Sequence, residues 1–93
     1  TSGRKPKPRP EPLPQDPDRE RQRREELGRR LRECRESRAW SLRDLAARSG
    51  LHRNEILSLE GGMVDARVGT IARLAEALEC QEAWLLYGRS LKD

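Results

Sequence analysis

The sequence predicts an all-α fold of five helices with short connections, preceded by a disordered, proline-rich, basic N-terminal tail. Three observations predict it. From residue 18 onward apolar residues recur at spacings of three and four, and no stretch alternates with period two. All six prolines fall at or before position 17, so nothing interrupts a helix beyond that point. A Ser-x-x-acid start at Ser41 and glycines at 50, 61, 62 and 88 supply helix starts and stops.

The tail, residues 1–17, carries Lys5-Pro6-Lys7-Pro8-Arg9-Pro10, an extended polyproline-like run. It reads either as a linker or solubilising arm, or as a basic arm that touches phosphates or a minor groove. The domain proper is residues 18–93. Asp18 is expected to cap a first helix from Arg19, with Leu27, Leu31 and Cys34 as a narrow apolar stripe. Glu25 with Arg29 and Glu26 with Arg30 stand at i,i+4 in the favoured order. Gly28 costs this helix about 1 kcal/mol against Ala unless close packing requires it. The stretch before Leu27 lacks an apolar face and is expected to fray.

Ser41-Leu42-Arg43-Asp44 is a capping box that opens a short helix over 42–48, with Leu45, Ala46 and Leu42 inward. Gly50 can take positive φ and turn the chain. A second short helix runs from about 53 to 60 with Ile56 and Leu59 buried, and Gly61-Gly62 ends it. After a loop over 63–67, Ile71, Leu74, Ala75 and Leu78 mark a helix over 68–78. Glu79-Cys80 breaks it. The last helix, 81–87, is anchored by Trp84 and Leu85 and closed by Gly88.

Charge and composition narrow the function. The chain carries a net charge of +4, and 39% of its residues are charged. Residues 18–38 hold nine basic and six acidic side chains, residues 39–60 three of each, so the excess lies in the N-terminal third. That distribution suits a polyanion. Phe is absent and the aromatic residues are Trp40, Trp84 and Tyr87, a poor stock for an enzyme pocket. No Ser/His/Asp, paired-carboxylate or phosphate-loop arrangement stands out, and no catalytic residue or small-molecule substrate is expected. Two cysteines and one histidine make no zinc-type spacing, so neither metal nor cofactor is expected. Cys34 and Cys80 read as small core residues in a reducing compartment; as an alternative, a thiol switch would make the chain's affinity for its partner depend on oxidant. No apolar run approaches the roughly 20 residues of a membrane span, and no signal peptide is evident.

Two short helices joined by a glycine-containing turn, over Ser41–Gly62, form a helix-turn-helix unit. A second helix of about eight residues is unstable alone. Packed across the first, it leaves an outer face that a DNA major groove can admit. Leu-x-x-Leu-Ala at 42–46, Gly50, Ile-x-x-Leu-Glu-x-Gly at 56–62, Leu-Ala-x-x-Leu at 74–78 and Trp-Leu-Leu-Tyr-Gly at 84–88 occur together. On these residues the chain resembles, from Leu27 to Gly88, the Xre family of phage-repressor and Cro-type domains, the lambda-repressor-like fold.

The resemblance implies a sequence-specific, double-stranded-DNA-binding transcriptional regulator, most simply a repressor that binds a palindromic operator as a homodimer. It also implies a bacterial or phage-encoded, cytoplasmic protein. Recognition residues carried over are His52, Arg53 and Asn54, with Ser58 one turn later. Arg53 suits guanine O6 and N7, Asn54 suits adenine N6 and N7, and Leu57 could meet a thymine methyl. Leu42 stands where many members have a phosphate-binding Gln. Arg43, the Gly61 N–H, Arg29 and Arg32 are the substitute phosphate contacts. The family's pairing of a late first-helix arginine with the glutamate closing the recognition helix implies an Arg35–Glu60 ion pair. Leu86, Tyr87 and Leu91 are candidates for a dimer surface. The competing expectation is a helix-turn-helix protein-interaction module, an adaptor or antitoxin, which the even charge of residues 39–60 permits.

Overall fold

The computed structural model describes residues 16–89. They form α1 (Pro17–Ser37), α2 (Leu42–Ser49), α3 (Arg53–Glu60), α4 (Val68–Leu78) and α5 (Glu82–Tyr87), with no strand among them. The expected tail lies outside the described residues up to position 15.

The first helix starts earlier than its sequence suggests. Asp16, not Asp18, is the N-cap; its carboxylate accepts from the Asp18 and Arg19 amides at 3.1 and 3.3 Å. Pro17 takes the first helical position, where its missing N–H costs nothing and its fixed φ already suits the helix. Proline therefore starts this helix instead of bounding it. The N-terminal turns remain helical without an apolar stripe. Arg24 Nε donates to the Gly62 carbonyl, and the backbone of Glu25 packs against Gly62.

The start of α2 and the glycine reversals match their local chemistry. Ser41 and Asp44 form the capping box at 3.0 and 2.9 Å. Gly50, Gly62 and Gly88 adopt φ of 75°, 70° and 71°. Two further reversals use residues with side chains, Ala39 at φ 56° and Glu79 at φ 53°, a conformation that no glycine rule would locate.

Ten residues form the core, drawn from all five helices. Leu31, Leu45, Ile56, Leu74, Leu78 and Leu85 are fully enclosed, each contributing about 1.5–3 kcal/mol of burial. Trp84, Cys34 and Cys80 pack on its edge, half-buried. Helix α3 lies against α1 and α2, α4 against α2 and α5, and α5 against α1.

The two i,i+4 pairs expected on α1 do not form. Glu25 instead lies 4.0 Å from Arg21. Arg30 gives its Nε and Nη2 to the Leu85 and Leu86 carbonyls at 2.8 and 2.9 Å. Those carbonyls sit at the negative end of α5, a better partner for a cation than a solvated carboxylate one turn away. No helix among the described residues is long and apolar enough to cross a membrane.

Candidate nucleic-acid interface

The base of α3 is fixed from behind. A Cβ on Gly28 would come within 2.5 Å of the Leu59 and Glu60 carbonyl oxygens. The missing side chain thus sets how closely the end of α3 approaches α1, and accounts for a glycine inside a helix. About two turns farther along α1, Arg35 donates Nε and Nη2 to the two Glu60 oxygens at 2.7 and 2.9 Å. Both side chains are largely enclosed, 12% and 6% exposed. The hydrogen bond to Glu60 raises the Arg35 pKa, so the guanidinium stays charged throughout the accessible range. Its Nη1 also donates to the Trp40 carbonyl at 2.8 Å. One guanidinium therefore ties α1, the α1–α2 corner and α3 together. The corner is braced again by Arg48, whose guanidinium stacks 4.2 Å above the Trp40 ring.

The opposite side of α3 is open. Its N-cap, His52, makes no side-chain capping bond. Arg53, Asn54 and Leu57 are exposed, and Ser58 is half-buried at the edge of the same strip. Leu57 keeps 49% of its surface accessible although it is a large apolar residue. Among the described residues, Arg53 and Asn54 make no side-chain hydrogen bond or ion pair. Spacings of one, three and four residues put these side chains on one helical face. The structure thus gathers His52, Arg53, Asn54, Leu57 and Ser58 into one polar-rimmed strip about 9 Å long.

Arg43 is exposed on the first turn of α2, next to the capping box, and has no ion pair among the described residues. The backbone and hydroxyl hydrogen bonds from Ser41 hold the Asp44 carboxyl below its ordinary pKa, so the cap is ionised at neutral pH. Arg29 and Arg32 are also exposed, and Arg32 pairs with Glu36 at 3.2 Å. They lie on α1, which meets the C-terminal end of α3 at Gly28, so the structure does not bring them together with Arg53.

The Gly61 N–H is not available as a phosphate donor. It closes α3 by donating to the Leu57 carbonyl at 3.0 Å. It also lies at the helix C-terminus, where the dipole repels an anion. Local sequence marked Gly61 as a chain reversal but not where its amide hydrogen goes.

Several neighbours of the strip carry no clear sequence signal. Met63, Val64 and Val68 are 75%, 43% and 84% exposed between α3 and α4. Arg67 caps α4 without a side-chain capping bond. With Arg73, His52 and Glu55 it lines a groove between the α2–α3 turn and α4. Glu55 accepts from the Thr70 hydroxyl at 3.5 Å, which leaves the groove with both signs of charge. The stretch 63–67 is too short for its spacing to show a face, which is why it reads only as a loop.

Three comparisons bear on this arrangement. A family model described as a helix-turn-helix domain matches residues 26–85. Among curated proteins, the sequence search finds no match. Solved structures do match. The restriction-modification controller protein C.AhdI from Aeromonas hydrophila is 34% identical, with 67% of this chain and 94% of that chain covered and a TM-score of 0.65. The hypothetical transcription factor NHTF from Neisseria is 28% identical over 83% of this chain and 84% of that one, with a TM-score of 0.67. The clp gene regulator ClgR from C. glutamicum is 29% identical over 74% of this chain and 95% of that one, with a TM-score of 0.63.

Proposed function

The chain belongs to the helix-turn-helix family that it matches over residues 26–85, and on that premise we propose that it is a double-stranded-DNA-binding transcriptional regulator. We propose further that it acts as a repressor and binds a palindromic operator as a homodimer. The observation that carries the reading is the two-sidedness of α3. Arg35 and Glu60 fix its inner side, while Arg53, Asn54 and Leu57 stand exposed on its outer side. A helix mounted in this way can enter a major groove as a rigid body. Arg53 then reads guanine, Asn54 reads adenine, and Leu57 meets a thymine methyl. His52 and Ser58 supply contacts at the two ends of the strip. Arg43 contacts a phosphate beside it, with Arg29 and Arg32 as more distant contributors. The names of the solved relatives, a controller protein, a transcription factor and a gene regulator, support the same reading.

A single module of this size buries too little surface for tight operator binding. A two-fold dimer doubles the contacts and places half-sites about one helical turn apart. The role is one of binding, with no catalysis, cofactor or small-molecule substrate.

A second reading has its own support. Leu57, Met63, Val64 and Val68 expose apolar surface on or beside the outer face, which suits a protein-interaction module. Selection from random duplexes with the purified protein separates the two. The DNA reading requires an enriched palindromic motif that loses a guanine preference in Arg53→Ala. It also requires affinity to fall with log salt by about 0.9 per phosphate contact. No enriched motif, and no retention on duplex at low salt, would favour the protein partner.

A further inference from the structure

A groove beside the outer strip of α3 carries cationic side chains that the strip does not use. It runs between the α2–α3 turn and the first half of α4, and His52, Glu55, Arg67, Gly69, Thr70 and Arg73 line it. Arg67 and Arg73 are exposed, and among the described residues neither makes a side-chain hydrogen bond or ion pair. The Arg73 guanidinium reaches across to the turn, where its Nη1 lies 3.6 Å from the point that a Cβ on Gly50 would occupy. The carboxylate in the groove, Glu55, is engaged by the Thr70 hydroxyl at 3.5 Å. Two guanidiniums against one carboxylate leave the groove net positive, which suits an anion. Gly69 is a second, independent sign. It stands in the first turn of α4, one turn before Arg73 on the same face, and its φ is not left-handed. A Cβ there would meet nothing within 4 Å. The chain's own packing therefore does not ask for a residue that costs a helix about 1 kcal/mol against Ala. A bare backbone position on an exposed face lets another molecule approach closely.

We propose that Arg67 and Arg73 hold the phosphate backbone of the DNA strand that passes the N-terminal end of α3, and that Gly69 is bare so that this strand comes close to α4. The inference rests on the DNA-binding reading and extends it from α3 to α4. His52 points to the source of the phosphate. It lines the groove and also begins the exposed strip, so a ligand that covers the strip continues into the groove without a gap. A duplex seated on Arg53 and Asn54 is such a ligand. A free anion would need only the two guanidiniums, whereas a strand also needs a clear path along the helix surface, which Gly69 provides. Phosphate contacts position a protein on the duplex and carry no base information. Arg67 and Arg73 accordingly set affinity and register, while Arg53 and Asn54 set the sequence preference.

The test measures the affinity of the full chain for the duplex it selects, across a range of salt. Arg67→Gln and Arg73→Gln are each expected to lower the slope of log affinity against log salt by about 0.9. Each is expected to weaken matched and mismatched duplexes by the same factor. Arg67→Lys and Arg73→Lys are expected to keep the slope, since the charge is retained. Gly69→Leu is expected to unfold no earlier than the parent, yet to lose at least about tenfold in affinity for duplex through the clash. Methylphosphonates placed along the duplex probe the unaltered chain, and are expected to weaken it at phosphates whose neutralisation Arg67→Gln no longer feels. An unchanged slope in either glutamine variant, or parent-like binding by Gly69→Leu, would overturn this inference and leave the DNA-binding reading standing. A parent that selects no duplex would overturn both. Inorganic phosphate at matched ionic strength is expected to displace duplex no better than chloride. Stronger displacement that Arg73→Gln abolishes would give the groove to a free anion and overturn its assignment to the DNA strand.

Discussion

The two sides of α3 are built to opposite rules within eight residues. The inner side admits no freedom. Gly28 brings α1 against the Leu59 and Glu60 carbonyls, Ile56 and Leu59 are sealed in the core, and Glu60 is held by two short bonds. The outer side carries an arginine, an asparagine and a leucine that touch nothing specific. Only the inner side is maintained by folding free energy, since surface positions away from caps and ion pairs change stability by little. The outer residues therefore need a selective reason outside the fold, which the proposed contact with DNA would supply. The contrast turns a family resemblance into a physical statement about which substitutions unfold the protein and which only silence it.

Substitutions can break that contrast in order of expected size. Arg35→Ala should be the most damaging, because it leaves Glu60 charged and enclosed without a partner. A loss of about 3–5 kcal/mol is expected, read from the urea midpoint. A loss under about 1 kcal/mol would mean that the pair behaves as a surface bridge. Gly28→Ala gains about 1 kcal/mol of helix propensity but sets a methyl against two main-chain oxygens that cannot swing aside. The clash should win, with a net cost of about 2 kcal/mol in thermal unfolding; a stabilised variant would show that α3 is not seated against α1.

Arg53→Ala sharpens the comparison from the other side. Stability should change by less than about 0.5 kcal/mol. Discrimination for a guanine-containing site should fall by about 1–3 kcal/mol in a titration against duplex. Equal losses in folding and binding would erase the distinction between the two sides. The smallest effect belongs to the α2 cap, where Ser41→Ala should cost about 1 kcal/mol. The fold holds the Asp44 carboxyl below its ordinary pKa. Its contribution is therefore present above the ordinary aspartate range and lost as pH falls through the folded value. The acid limb of the stability profile should flatten in Ser41→Ala, and an unchanged limb would rule out the capping bond as its source.

Most of the helix boundaries were legible because their causes are local. Ser41 and Asp44, Gly50, and the three-four spacing from Ile71 to Leu78 each act within a few residues, so pattern and structure coincide. The start of α1 departs from its local pattern for the same reason in reverse: proline stops a helix from inside but favours its first turn, and position alone decides which. What local pattern could not show is where long side chains go. Arg24, Arg30 and Arg38 look like solvated helix charges, yet each reaches a main-chain carbonyl 38 to 56 positions away. A guanidinium on a long, flexible stem finds acceptors that no periodicity encodes. Ala39 and Glu79 escaped notice because a left-handed residue with a side chain is imposed by the packing around it. At the outer strip, the family resemblance pointed to Arg53 and Asn54 and residue type added Leu57, whereas the fate of the Gly61 amide hydrogen required coordinates.

The missing carbon at Gly28 has an engineering consequence. Because the mount rests on the Gly28 approach, Arg35, Glu60 and the two apolar anchors of α3 and leaves positions 53, 54 and 57 exposed, those three positions behave as an exchangeable cartridge. On the proposed DNA-binding function, new site preferences could be grafted there, or could drift there during evolution, with the chassis left as it is. The reverse swap, a foreign frame with alanine in place of that glycine, would tilt any cartridge it carried away from its reading angle.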